Sequence, residues 1–333
     1  MIFGFWQECP EPQLEPTPAE LPADYLRVSR KAMAADFLVC TNAGQYANAV
    51  DAGLEALDEV TRLEKQLSYF DEESEITRLN RWAGRGAFTP SSEVYALLKQ
   101  CDTLFLQTEG AFDVTATPLC DVWGFLRRQG TVPDENARLA ALARVGSDKI
   151  SWDDANASLT LPEGMVISLG SIGKGYALDR AADVLEDFGI ENFLLHGGSS
   201  SVITRGARRG RSDWLVGLHH PLRPGERLME IPLANRALGT SGSAAQFFWH
   251  QGKRYGHILD PRTGFPAEGI LSVTVLAPTA TEADALATAF YVMGVERTRS
   301  FCDSRPDLGV LFVLPAGGQP SGVEIVKFGR IVC

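Results

Sequence analysis

The chain lacks the features that would tie it to nucleic acid, a lipid bilayer or a disulfide scaffold. Lys and Arg total 31 against 42 Asp and Glu in 333 residues, a net charge of -11. Binding to a phosphate backbone depends on clustered cations that displace counterions, so nucleic acid is excluded as the main partner. No stretch approaches the roughly 20 apolar residues that span a membrane. The six cysteines, at 9, 40, 101, 120, 302 and 333, contain no Cys-x-x-Cys pair and no zinc-like spacing with His. Scattered in this way, they read as buried thiols in a reducing compartment. Neither Ser-rich turn, Gly198 to Ser201 or Gly239 to Ser243, contains Gly-x-Ser-x-Gly, which removes the usual serine-hydrolase elbow.

What the chain does have is enough apolar material for a large core, 45% of its residues. Residues 1–24 are rich in Pro and Glu and are expected to form a disordered arm. From Tyr25 to the end the pattern reads as a single folded domain. Helices are expected at about 45–67, with Val50, Leu54, Leu57, Val60 and Leu63 on the core face, and from 92 to a stop at Gly110. Others are expected at about 134–146, 176–188 and 281–293. Strands are expected around 26–41, at 166–169, and in a run of six between 192 and 277, with two more near 309–314 and 323–328. Successive strands without intervening helices imply antiparallel pairing, so the fold class is α+β, with largely antiparallel sheets flanked by helices.

The clearest chemical signature lies between Gly256 and Gly294, where His-Ile-Leu-Asp-Pro-Arg-Thr-Gly leads through a strand into a helix carrying Asp284 and Thr288. Four positions apart on a helix, a carboxylate and a hydroxyl project from one face and can share a small hard cation. The competing reading makes Thr281 an N-cap and Asp284 a first-turn acid suited to the helix dipole. A second segment, Ser168 to Leu185, sets Gly170, Gly173 and Gly175 around Lys174 before a helix, where backbone amides and a dipole favour phosphate. It is not a Walker A loop, because Gly175 stands where Ser or Thr should bind magnesium. A third segment contains Ala111-Phe112-Asp113, and a fourth is Leu67 to Asn80.

Together these segments resemble the ApbE family of FAD-dependent flavin transferases, which move FMN from FAD onto a Thr or Ser of another protein. The resemblance runs from about Met33 to Phe328. It implies a ligand in a central cleft and Mg²⁺ held by Asp284, Thr288 and an oxygen of Ser171. FAD would meet Met33, Phe70, Ala111, Phe112, Asp113, Ser168, Lys174, His257 and Ile258. Phe70 falls where the family often has Tyr, and Ser168 where it has Asp. Lys174 would neutralise diphosphate charge, while His257 is either a base or organiser near the acceptor hydroxyl or an orienting partner for Asp260. The implied partner is a redox flavoprotein with a Ser/Thr acceptor motif. Two alternatives stand beside transfer: FAD pyrophosphatase activity, and FAD binding without chemistry. The opening Met-Ile-Phe-Gly-Phe-Trp is too short for a signal core, so a cytoplasmic protein is expected. An upstream start would instead make Cys9 a lipidation candidate, since many relatives are exported lipoproteins.

Overall fold

The computed structural model describes residues 24–243, 246–317 and 322–331. Residues 1–23 of the expected arm, with Cys9, and the terminal Cys333 lie outside the described residues. The chain begins with a hairpin of β1 (Tyr25–Ala32) and β2 (Ala35–Asn42). Its turn residues Met33 and Ala34 both take positive φ, 51° and 56°, the conformation that matches the twist of a tight hairpin. The helices α1 (Ala49–Leu67), α2 (Glu75–Trp82), α3 (Ser92–Gln107), α4 (Thr117–Val122) and α5 (Glu135–Leu142) follow. Next come the short strands β3 (Ser151–Asp153) and β4 (Ser158–Thr160), then α6 (Gly173–Asp187). Strands β5 (Phe193–Gly197), β6 (Ser201–Arg205), β7 (Trp214–His219), β8 (Arg227–Leu233) and β9 (Ala237–Gly242) form the next run. The chain continues through β10 (Phe247–His250), β11 (Lys253–Gly256), β12 (Ser272–Ala277), α7 (Ala280–Asp303), β13 (Gly309–Pro315) and β14 (Val323–Gly329).

Eight strands form one sheet in the order β1-β2-β5-β6-β9-β12-β13-β14, every neighbouring pair antiparallel. The fold is α+β with largely antiparallel sheets. Side chains alternate between the two faces of a strand, and both faces of the central strands are covered. Val273, Val275, Val310 and Phe312 join the core under the helices, while Leu276, Leu311 and Val313 join a second cluster with Val216 and Ile231 of the β7–β8 ribbon. This double burial is why β12 and β13 read as nearly continuous apolar runs.

Four sequence expectations need correction. The predicted core face of α1 holds in its second half, where Leu57, Val60 and Leu63 are buried, and fails in the first: Val50 and Leu54 are 46% and 42% exposed, and Ala49, Ala52, Gly53 and Ala56 are buried instead. Small residues take these positions because the first half of α1 lies close on the sheet; a Cβ on Gly53 would come within 2.9 Å of Val28 Cγ2. The segment 166–169 is no strand. Its backbone is satisfied by the side chain of Asn80, which accepts from Ile167 N and donates to Ile167 O at 2.8 Å each, and by Ser168 N donating to Val114 O. The N-cap of α7 is Thr279, whose hydroxyl accepts from Glu282 N, whereas Thr281 lies inside the first turn. The helix also runs past its expected end, turning at Gly294 (φ 78°) before a second helical stretch to Asp303.

Close packing around α7 rests on two glycines. A Cβ on Gly175 of α6 would collide with the Ala280 carbonyl and lie 2.9 Å from Asp284 Cβ; one on Gly239 of β9 would collide with the Ala283 carbonyl and lie 2.7 Å from Asp284 N. Gly175→Ala should therefore destabilise the protein by about 1–3 kcal/mol, the usual scale of overpacking. Gly173→Ala, whose Cβ would meet only Leu169 Cβ at 3.8 Å, should be neutral or stabilising by up to about 1 kcal/mol through helix propensity. Urea denaturation of both variants checks this contrast; equal midpoints would refute the close approach.

Candidate active site

A cavity of about 410 Å³ opens where the N-terminus of α6, the first turns of α7, the end of β9, the β5–β6 turn, the α3–α4 connection and the segment 257–261 meet. It is lined by Ala111, Phe112, Asp113, Ser168, Ser171, Lys174, His257, Ile258, Asp284 and Thr288, gathered from segments far apart in sequence. A wider groove of about 500 Å³ between α1 and α2 carries charges of both signs, including Asp58, Arg62, Lys65 and Glu73, and none of the predicted site residues.

Asp284 stands at the centre. It is only 6% exposed, yet no Lys or Arg forms an ion pair with it among the described residues. Its Oδ1 accepts from Ser201 Oγ at 3.0 Å and its Oδ2 from Gly175 N at 3.1 Å. Burying a carboxylate with only neutral donors is costly. One helical turn on, the Thr288 and Ser241 hydroxyls share a hydrogen bond of 3.0 Å. The side-chain donors here are all oxygens, a set that suits a hard cation completed by water and ligand oxygens. Among the described residues no group of three or more His, Cys, Asp or Glu is placed to hold a metal ion.

The start of α7 is fixed from α6. Asp179 accepts from the amides of Ala280 and Thr281, 2.8 Å each, and from the Thr281 hydroxyl, neutralising the free donors of the helix N-terminus. Burial pushes the Asp179 carboxyl above its ordinary value, and those hydrogen bonds pull it back. Asp179 and Asp284 thus bind α6 and α7 together on either side of Gly175.

Lys174, in the first turn of α6, is half-buried and forms no hydrogen bond or ion pair among the described residues, so its ammonium can meet an anion in the cavity. The neighbouring amides are less available than the glycine pattern implies. Gly173 N donates to Leu169 O at 2.7 Å and Gly175 N to Asp284.

His257 follows β11, and its Nδ1 lies 3.0 Å from Gln246 O. A carbonyl can only accept, so this bond requires the proton on Nδ1 and leaves Nε2 with its lone pair. Burial pushes the ring below its ordinary value of 6.5; the bond to Gln246 opposes this, and the nearby Lys174 charge adds to it. Asp260 is occupied elsewhere, holding Arg262 through both carboxylate oxygens at 2.8 and 2.9 Å, so the reading of His257 as its orienting partner has no contact behind it.

Asp113 lines the cavity, but its carboxylate is enclosed in its own turn. It accepts from Thr115 N and Oγ1 and from Ser147 N and Oγ, and burial raises its pKa against those bonds. Met33 and Phe70 do not reach the cavity. Met33 sits in the β1–β2 turn with its amide donating to Glu64, and Phe70 is 77% exposed, its ring edge-on to Tyr69. Residues missed from sequence are Asp179, Thr240 and Ser241. The Ser-rich segments Gly198 to Ser201 and Gly239 to Ser243 deliver hydroxyls toward Asp284 and Thr288.

Residues 34–312 match the ApbE family. A curated FAD:protein FMN transferase of Vibrio cholerae is 34% identical over 70% of this chain and 70% of its own length. One of Treponema pallidum is 31% identical over 83% and 82%. Among solved structures, the ApbE protein of Thermotoga maritima superposes with a TM-score of 0.79 at 30% identity, covering 90% of this chain and 96% of that one. The flavin transferase ApbE of Vibrio cholerae gives 0.78 at 28% identity, over 92% and 97%. The chain belongs to the ApbE family.

The depressed His257 ring makes a prediction. The unfolded chain takes up the proton first, so stability from this group is complete above about pH 6.5 and is lost as the pH falls toward the folded-state value. An NMR titration should place the His257 midpoint below 6.5, and Lys174→Met should move it upward. A midpoint at or above 6.5 in the wild type would contradict this environment.

Proposed function

We propose that this ApbE-family enzyme transfers FMN from FAD to a Ser or Thr hydroxyl of an acceptor flavoprotein, releasing AMP. The observation that carries the reading is one cavity bringing Asp284, Thr288, Lys174 and His257 together. The acceptor hydroxyl attacks the FMN-side phosphorus, a phosphoester forms, and the bond to the bridging oxygen breaks to free AMP. Phosphoryl transfer asks for positioning and charge neutralisation more than covalent help.

Asp284, Thr288 and an oxygen of Ser171 would hold Mg²⁺, which when bound supplies positive charge to the diphosphate. Lys174 meets the same negative charge from the α6 side. His257, neutral with Nδ1 tied to Gln246, presents Nε2 to accept the proton of the attacking hydroxyl. Ser168 leaves its hydroxyl unbonded among the described residues, free to meet the nucleotide. The described residues include no helix long and apolar enough to cross a membrane.

Incubation with FAD and Mg²⁺, with and without a flavoprotein acceptor, followed by AMP quantification and in-gel flavin fluorescence tests the activity. Acceptor-dependent fluorescence with matching AMP is expected. AMP without labelled acceptor would show hydrolysis instead, and no AMP would leave a binding protein. Asp284→Asn should lower AMP release at least about 100-fold, the scale of losing one contact to transition-state charge. Retained turnover in a folded variant would dispose of the cation assignment.

Ser168→Asp is a sharper probe of the nucleotide. A charged acceptor makes the stronger hydrogen bond, so FAD should bind tighter by about 1 kcal/mol, several-fold in affinity. Calorimetric titration in Mg²⁺ measures it. Weaker binding would mean that the pocket is built around the hydroxyl.

A further inference from the structure

We infer that Gln246 is a positioning residue for His257, holding its imidazole in the Nδ1–H tautomer through a clamp on the connection that follows α4. The inference rests on the proposed role of His257 as the base.

The clamp has three members. Gln246 O accepts twice from one residue, from His257 N at 3.1 Å and from His257 Nδ1 at 3.0 Å. The main-chain bond extends the β10–β11 ribbon by one register position, since Phe247 pairs with Gly256 and the next pair is Gln246 with His257, and the ring bond adds to the same carbonyl. The Gln246 side chain reaches the other way, its Nε2 donating to Phe125 O at 2.8 Å. The Phe125 ring lies edge-on to the His257 ring, 6.4 Å between centroids. One residue therefore fixes both the carbonyl that sets the tautomer and the wall against which the imidazole rests.

The anchor itself is firm for a local reason. Helix α4 ends in a paired turn in which Gly124 N donates to Asp121 O and Phe125 N to Cys120 O, both 2.9 Å. Gly124 takes φ 73°, as the residue after a helix does in this C-cap, and its missing Cβ leaves room for Gly130 N, 3.0 Å from where it would stand. Phe125 is then buried against Phe248 of the same ribbon. The carbonyl that receives the Gln246 amide is thereby held on both sides.

A neutral imidazole in water favours the other tautomer, with the proton on Nε2, which would point a donor rather than a lone pair at the acceptor hydroxyl. The main-chain bond to Gln246 reverses that preference, and it lasts only while the carbonyl stays in place. Removing the side-chain amide leaves the strand pairing intact but frees the end of the ribbon, so the effect should fall on orientation and catalysis rather than on ligand binding.

The test uses the full-length protein with ¹⁵N-labelled histidine. In the wild type the His257 Nδ1 signal should carry the protonated shift and Nε2 the unprotonated one. Gln246→Met, which keeps length and loses the amide, should mix the two forms, lower kcat for FMN transfer about tenfold or more, and leave the KM for FAD within about twofold, as expected when an interaction acts only in the transition state. Gln246→Ala repeats the measurement should Met perturb packing. A wild-type His257 protonated on Nε2 overturns the proposal without any variant. So does an unchanged tautomer in folded Gln246→Met. A shifted tautomer with unchanged kcat would uphold the clamp and remove His257 from the base role.

Discussion

A buried carboxylate with no ion-pair partner among the described residues, Asp284, is the constraint around which the rest of the structure is arranged. Its oxygens are held by one hydroxyl from the start of β6 and one amide from the first turn of α6. Neither donor neutralises its charge, so the carboxylate remains able to attract a cation into the cavity. Bringing three elements to one side chain requires backbones nearly in contact. Gly175 and Gly239 provide that approach, and Asp179 fixes the turn of α7 from which Asp284 projects. Packing and chemistry therefore meet at the same few residues.

The cavity gathers charges of both signs. Its lining holds Asp284 and the hydroxyls of Ser241 and Thr288, suited to a hard cation, together with Lys174 and His257. Burial, with the nearby Lys174 charge adding to it, holds the imidazole below its ordinary pKa. A diphosphate entering the cavity meets positive charge while a nucleophilic hydroxyl still finds a proton acceptor. That combination fits transfer of a phosphoryl-linked flavin better than passive storage of one.

Much of this was legible in the sequence. The antiparallel class followed from the unbroken run of strands after α6, and most motif residues do line one cavity. What was not legible depended on contacts across the chain. Strand β9 contains Gly239, a poor strand former that is tolerated because the backbone of α7 lies against it. Segment 166–169 looks like a strand by composition but is held by the amide of Asn80, far away in sequence. The small residues of α1 take the buried face in place of Val50 and Leu54, and at Gly53 the sheet leaves no room for a Cβ beside Val28. Phe70, matched by position alone, lies outside the cavity.

The central claim is that Asp284 and Thr288 hold a divalent cation against the diphosphate of FAD. Crystals grown with FAD and Mn²⁺ in place of Mg²⁺ test it through the anomalous signal of the metal. The account predicts a peak about 2 Å from oxygens of Asp284 and Thr288, in contact with a phosphate oxygen. FAD bound in the cavity with no metal at Asp284, or with the metal held elsewhere, would contradict it.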